Sequence, residues 1–547
     1  MAEFAYPPVE FQTSPDRYVH WDFSTDGPVA TLVMHIKEDR PMWEGRYELK
    51  LNSYDLGVDI ELNDAIQRTR FEHPEVRVVV VTGAYDKVFC AGANIRMLGM
   101  APHAFKVNFC KYTNETRIQM EDATESSGQH YISALNGTAS GGGYELALAT
   151  KEILLIDDGN AAVSLPEVPL LGVLPGTGGL TRLTDKRKIR RDVADLFCTK
   201  AEGFRARDAK KYKLVDETFP RSKWAEGVAK RAAQRAAEMA AAHPERKGEG
   251  VKLPTITRTV TKGGWAYRHV TVSVEERVAT VVIAGPTAAP ERSATTWIFQ
   301  AFRELEDALL HIRVNHLDVG LILFETVGDP AAVLAHEAHL IEAAKGDWFM
   351  REVQLFVGRT LRKIDNTSKS LFAVVKPGSC FVGVLFEIAL AADRSYMLVD
   401  DDGVNTVQLS AANAGLFTMA NGVSRLTQRF PGEPAAPAAA LAAASAAAVG
   451  GEEAFELGLL TAVPDEIDWD DELRIAIEER ASLSPDALTG MEQNLRFGGV
   501  ESADNKIYGR LSAWQNWIFQ RPNAVGERGA LTLYGQPERP VYDFRRT

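Results

Sequence analysis

Phe89-Cys90-Ala91-Gly92-Ala93-Asn94 and Ser140-Gly141-Gly142-Gly143-Tyr144-Glu145 decide how this chain of 547 residues is read. The two stretches lie about fifty residues apart, and each follows an apolar segment. Gly and Ala leave a backbone N–H open to close approach by a ligand. Two such donors aimed at one carbonyl oxygen make an oxyanion hole. Gly-Gly-Gly by itself is no more than a flexible turn; the pairing with the upstream stretch gives it meaning.

The surrounding patterning predicts an α/β fold. Residues 76–81 are an apolar, β-branched run that reads as a buried strand, and residues 54–62 ahead of it have helical spacing. Residues 134–137 read as a strand end and turn, and 143–149 as a helix. Strand, helix, strand in this order predicts ββα units with parallel strands.

The pattern then recurs. His20-Trp21-Asp22-Phe23 and Val29-Ala30-Thr31-Leu32 match His269-Val270-Thr271-Val272 and Val278-Ala279-Thr280-Val281, 249 residues on. Leu171-Gly172-Val173 and Leu180-Thr181-Arg182-Leu183 match Ala414-Gly415-Leu416 and Val423-Ser424-Arg425-Leu426, 243 residues on. A near-constant offset predicts two tandem copies of one fold. The expected division is a first domain over 1–220, a linker helix and exposed loop over 221–266, a second copy over 267–464 and a helical region over 465–547. The alanine-rich stretch 434–449 is either a helix or a mobile segment. The second copy has lost its glycines. Residues 332–337 stand for the first motif, Phe381-Val382-Gly383-Val384 for the second, Ser410 for Glu167, and Glu387 falls near the place of Glu145.

The paired glycine motifs resemble the crotonase (enoyl-CoA hydratase/isomerase) superfamily. That resemblance implies a spiral of ββα units, here in tandem with a degenerate second copy, and a coenzyme A thioester enolate held by the hole. In the family's pattern the hole donors are the residue after the Ala-Gly pair, here Ala93, and the middle glycine, here Gly142. Glu145 lies three residues past Gly142, and Glu167 sits in Ser164-Leu165-Pro166-Glu167-Val168-Pro169, followed by Leu174-Pro175-Gly176-Thr177-Gly178-Gly179. Both segments resemble the hydratase pattern in which two glutamates hold the reacting water. Burial and mutual repulsion in such a pair raise one pKa, so one carboxyl donates while the other accepts. Asn94 stands where the family has Asp, and an amide keeps similar hydrogen bonds. Lys87 and Arg96 bracket the first motif and are the candidates for the coenzyme A phosphates. As a helix, residues 103–128 place Cys110, Asn114, Arg117 and Glu121 on one polar face, which either lines an acyl pocket or is a solvated or interface face. No base adjoins Cys110 in sequence, so an idle thiol is its default reading.

Composition excludes several classes. A net charge of −13 argues against nucleic-acid binding, which needs a basic footprint. With 45% hydrophobic and 25% charged residues the chain reads as globular, and no apolar run approaches the roughly 18–20 residues of a membrane span. The opening residues carry no basic region followed by an apolar core, so no secretory signal is expected. Cys90, Cys110, Cys198 and Cys380 show no CxxC spacing, which argues against a zinc site or a disulfide framework and fits a reducing cytoplasm. No dinucleotide motif follows the first copy, and no metal, flavin or nicotinamide is expected.

Within the superfamily, the tandem architecture and the insertion over 37–46 resemble a branch of ring-opening carbon–carbon lyases acting on an aromatic acyl-CoA. That resemblance implies glutamate acid–base chemistry and a homodimer, since the C-terminal helical region packs subunits in relatives. The alternatives are a hydratase or isomerase on another acyl-CoA, or a non-catalytic acyl-CoA-binding protein.

Overall fold

The computed structural model describes residues 6–399 and 404–547, so the reading of the chain's first five residues lies outside it. The chain divides into two compact units. One holds Phe11–Leu253 with Asp347–Glu352, the other Pro254–Gly346 and Val353–Thr547.

In the first unit, β1 (Trp21–Asp26) and β2 (Val29–Met34) form an antiparallel hairpin. The chain continues through α1 (Leu56–Phe71), β3 (Val78–Gly83), β4 (Lys87–Cys90), α2 (Ile95–Met100), α3 (His103–Ser126), β5 (His130–Leu135) and β6 (Gly137–Ser140). Then come α4 (Gly142–Ala149), β7 (Glu152–Asp157), β8 (Ala162–Ser164), β9 (Phe204–Arg205), β10 (Glu217–Pro220) and α5 (Trp224–Ala242). The larger sheet runs β1-β2-β3-β5-β7-β10 and is parallel from β2 onward. A smaller sheet, β4-β6-β8-β9, carries both glycine motifs at the C-terminal ends of its first two strands. The valines of β3 are buried on both faces, as a central parallel strand requires.

Helix α5 corrects one expectation. It is a helix where one was expected, but it does not link the units. Trp224, Val228, Ala232 and Ala236 recur every four residues and pack on Val78, Val80, Ile132, Ala134 and Leu154 of the larger sheet. The loop after it is largely exposed, as expected, but within it Arg246 is buried and donates to Glu352 at 2.9 Å. A charge buried there is tolerable only because it is paired.

The second unit opens with β11 (Thr259–Thr261), β12 (Gly264–Ala266), β13 (Val270–Glu275) and β14 (Val278–Ala284). After α6 (Trp297–Asn315) come β15 (Leu321–Val327), α7 (Pro330–Ala343), β16 (Ser370–Val375), α8 (Gly383–Ala391) and β17 (Arg394–Met397). These seven strands form one sheet in chain order, antiparallel to β14 and parallel beyond it, so β13 to β17 repeat the logic of the first unit. The smaller sheet is missing among the described residues; isolated bridges such as Val382 with Gln408 remain in its place.

The alanine-rich stretch forms a helix, α9 (Ala436–Ala446). The C-terminal region begins with α10 (Trp469–Ser482), whose Trp469, Leu473, Ala476 and Ile477 cover Leu321, Leu323, Phe372 and Val374. Trp469 thus does for the second sheet what Trp224 does for the first. Each repeat includes one more helix than the boundaries at 220 and 464 allowed, because each sheet needs an apolar cover. Helix α11 (Pro485–Leu495) follows. No helix among the described residues is long and apolar enough to cross a membrane. The four cysteines are unpaired.

Candidate active site

Strands β4 and β6 are parallel neighbours, so the loops leaving them run side by side. Gly92 has φ +92°, and a Cβ there would stand 2.8 Å from the Gly142 nitrogen and 2.9 Å from the Ser140 oxygen. Only glycine meets both demands. The Tyr54 N–H donates to the Gly92 oxygen at 3.0 Å, and the Asn94 N–H donates to the Tyr54 oxygen at 2.8 Å. This pairing brackets Ala93 and turns its own N–H to the opposite side. Gly142 is the first residue of α4, where the helix end adds partial positive charge. Neither the Ala93 nor the Gly142 N–H has an acceptor among the described residues.

Asn94 explains its departure from the family pattern. Its Oδ1 caps α2 by accepting from Met97 N–H at 3.0 Å, while Nδ2 donates to the Glu48 oxygen at 2.7 Å and Ser53 Oγ at 3.1 Å. A carboxylate would lack those two donors.

The two glutamates sit in contrasting surroundings. Glu145, in the first turn of α4, is buried and accepts from Thr177 N–H at 3.0 Å, Gly179 N–H at 2.8 Å and the Thr177 hydroxyl. Glu167 opens a short π-helical turn, Glu167–Leu171, after β8. It is also buried, but its Oε2 has no hydrogen-bond partner. A Cβ on Gly141 would lie 2.9 Å from its Oε1. Burial, then the charge of Glu145, push the Glu167 carboxyl up to about 7; its own N–H and Arg117 oppose the rise. One carboxyl has three donors and the other leaves one oxygen unpartnered, a contrast of surroundings that suits acid–base chemistry.

The hole, the acid pair and their sheet fall inside residues 36–248, which match the family model for enoyl-CoA hydratase/isomerase. Over its whole length the chain is similar to a benzoyl-CoA-dihydrodiol lyase of Aromatoleum evansii, 54% identical over 98% of this chain and 98% of that one. The chain belongs to the benzoyl-CoA-dihydrodiol lyase family. It is a lyase of the enoyl-CoA hydratase/isomerase superfamily. A carnitinyl-CoA dehydratase of Proteus mirabilis is 34% identical over 29% of this chain and 53% of its own length. A solved enoyl-CoA hydratase from Geobacillus kaustophilus is 32% identical over 42% of this chain and 80% of its own, with a TM-score of 0.37.

Against this lyase framework the remaining candidates can be placed. Of the pocket candidates, Cys110 is half-buried and Asn114 lies against the loop that carries Gly176. Burial, with Glu145 nearby, pushes the Cys110 thiol up to about 11, so it is no thiolate at neutral pH. Asn114 donates to the Gly176 oxygen at 3.2 Å. Glu121, on the same face, sits in an ion-paired cluster. Arg182 grips it with two hydrogen bonds of 2.9 Å and Lys186 adds one of 2.8 Å. Burial would raise its carboxyl, but these cations outweigh burial and hold it low. Lys87 opens β4 in the left-handed region at φ +69°, and Arg96 lies on the first turn of α2; both are exposed, and neither enters an ion pair among the described residues.

Sequence reasoning placed Arg117 on the polar face without giving it a role. The structure buries it fully. It donates to the Tyr54 hydroxyl at 2.8 Å, the Gly142 oxygen at 2.9 Å and the Thr177 oxygen at 3.1 Å. A cation buried in the middle of α3 was the signal available.

In the second unit the same frame is closed. Gly383, at φ +49°, matches Gly141 at φ +53°, and Glu387 follows it by four residues as Glu145 follows Gly141. Glu387 therefore does occupy the place of Glu145. There it is locked by Arg425 and Asn413, each at 2.8 Å, and Arg425 also grips Asp365. The Glu337 carboxylate lies against Gly383 and accepts from the Val384 N–H, the counterpart of Gly142, so a side chain of the protein takes the donor a ligand oxygen would need. Ser410, the counterpart of Glu167, is a helix cap.

Among the described residues one cluster, Glu10, Asp307 and His311, has the spacing of a metal site. Arg258 donates to Glu10 at 2.8 Å and contacts His311, and Tyr267 donates to Asp307 at 2.7 Å. A cation of the protein already fills it.

Proposed function

We propose that this enzyme converts 2,3-epoxy-2,3-dihydrobenzoyl-CoA and two waters into 3,4-didehydroadipyl-CoA semialdehyde and formate, as a step of aerobic benzoate degradation. The observation that carries this reading is the full-length relationship to a benzoyl-CoA-dihydrodiol lyase, which extends over the second unit that ordinary relatives lack.

The chemistry supports the same residues. The carbon–carbon bond under the epoxide oxygen opens to a seven-membered cyclic enol ether. One water adds to an ether carbon and that C–O bond breaks, leaving an aldehyde at each former ether carbon, one of them a formyl group on the carbon next to the thioester. The second water adds to that formyl carbon. Breaking its bond to the carbon next to the thioester releases formate and leaves the electron pair on that carbon, delocalised into the thioester as an enolate. Protonation of that carbon gives the semialdehyde, and the atoms balance. The Ala93 and Gly142 N–H groups stabilise the enolate oxygen. Glu145, which accepts from Thr177 and Gly179, takes the proton from each attacking water. Glu167, with a carboxyl raised to about 7, supplies the proton to the leaving oxygen, regains one from Glu145 after the first water has added, and supplies that one to carbon. Lys87 and Arg96 meet the coenzyme A phosphates. No metal, flavin or nicotinamide enters this scheme. The enzyme works in the cytoplasm as a homodimer.

The test is formate release from purified protein and enzymatically prepared 2,3-epoxybenzoyl-CoA without added metal or cofactor. Formate equal to thioester consumed is expected. Turnover of crotonyl-CoA without formate from the epoxide would refute the proposal in favour of a hydratase, and silence with both would favour a binding protein.

A further inference from the structure

We propose that Arg117 is a positioning residue that locks both arms of the oxyanion hole to the loop holding Glu145. The effect on turnover rests on the reaction proposed above; the effect on a bound carbonyl does not.

Its three hydrogen-bond acceptors come from three segments remote in sequence: the entry to α1, the first residue of α4, and the loop carrying Thr177. Each acceptor adjoins a different working group. The backbone of Tyr54 brackets Ala93 on both sides. Gly142 supplies the second hole donor. Thr177 holds Glu145 through its N–H and hydroxyl. The Tyr54 ring closes the set, since its hydroxyl lies so near Gly142 that any side chain there would overlap it. A shift of the guanidinium therefore moves Ala93, Gly142 and Glu145 in concert.

Burying a charge is costly, and a core that needed only to be filled would use an apolar residue. Here the guanidinium ends on a hydroxyl and two backbone oxygens, all at the site. Its planar fork can serve three acceptors in fixed directions, which an ammonium on a flexible stem cannot do. The charge is balanced by Glu145 and by buried Asp59, which accepts from Thr113.

The test uses Arg117→Lys and Tyr54→Phe in the full-length enzyme, with two readouts. One is kcat and KM on the epoxide. The other is the infrared stretch of the thioester carbonyl of bound benzoyl-CoA, labelled with carbon-13, which the hole should shift to lower frequency. A misplacement of about 1 Å at such a site costs about 100-fold in rate. For Arg117→Lys we expect kcat to fall about that much, KM to change less than about threefold, and the carbonyl stretch to move back toward its solution value. Tyr54→Phe, which keeps the cation and removes one acceptor, should shift both readouts in the same direction by less. If Arg117→Lys fails to fold, Tyr54→Phe decides alone. Unchanged carbonyl stretch and kcat in the folded variants would overturn the proposal. An unmodified enzyme that shifts the benzoyl-CoA carbonyl but releases no formate would refute the reaction and leave the carbonyl test of Arg117 in force. No shift even in the unmodified enzyme would overturn both.

Discussion

Glu167→Gln should stabilise the protein in alkaline solution while abolishing turnover. The Glu167 carboxyl titrates near 7 in the folded chain against 4.5 ordinarily. Between those values the folded chain binds more protons than the unfolded one, so this residue's contribution to stability falls as pH rises from about 4.5 to about 7 and stays low above that. At about 1.4 kcal/mol per unit, the cost of ionising the buried group comes to about 3 kcal/mol at pH 8.5 and nearly nothing at pH 4. A neutral amide escapes this cost. It brings one of its own, since the new N–H group replaces an oxygen that has no partner, and that costs about 1–3 kcal/mol at every pH. The difference between parent and variant is therefore read at two pH values. By thermal unfolding, the variant should gain on the parent by about 3 kcal/mol between pH 4 and pH 8.5, on the order of 6–12 °C for a unit of this size. A gap in Tm that stays constant with pH would refute the reasoning, because it would mean that Glu167 is an ordinary carboxylate. The same titration predicts that turnover in the parent declines as pH rises through about 7, where the acid loses its proton.

Gly92→Ala puts a methyl group 2.8 Å from the Gly142 nitrogen at a φ of +92°, so kcat should fall by about 100-fold or more while circular dichroism stays native-like. Lys87→Ala with Arg96→Ala should raise KM several-fold at low salt and leave kcat nearly unchanged, the KM difference shrinking as salt screens the phosphates; an unchanged KM would remove both from the coenzyme A site. Arg546→Ala deletes a buried guanidinium that pairs with Glu492, donates to Thr489 at 2.9 Å and to Ser370 at 3.0 Å, and should cost about 3 kcal/mol, seen as a lower Tm for the second unit; a Tm within about 1 °C of the parent would show the anchor to be idle.

The paired glycine motifs were legible because their requirements are local. A positive φ at Gly92 and close backbone approach at Gly142 leave few residue types to choose from, so the chemistry is written in residue identity. The repeat was legible for the same reason, since β-branched strands keep their alternation in both copies. Its ends were not. The stripe of Trp224, Val228, Ala232 and Ala236 looks like any alanine-rich helix until the sheet it covers is present. For Glu121 helical spacing gives a face but not what stands opposite, and here Arg182 and Lys186 stand there.

The sequence by itself determined a tandem α/β chain and marked two glycine motifs and two glutamates as its candidate site. Only the tertiary structure decided how the acids differ. Glu145 is saturated by Thr177 and Gly179, more than thirty residues away, while Glu167 keeps one oxygen unpartnered. It also decided that Arg117 reaches three segments at once and that Glu337 takes the Val384 N–H in the second unit. A side chain's pKa and partners depend on burial and on groups brought close by strand pairing, and neither is a property of its neighbours in sequence.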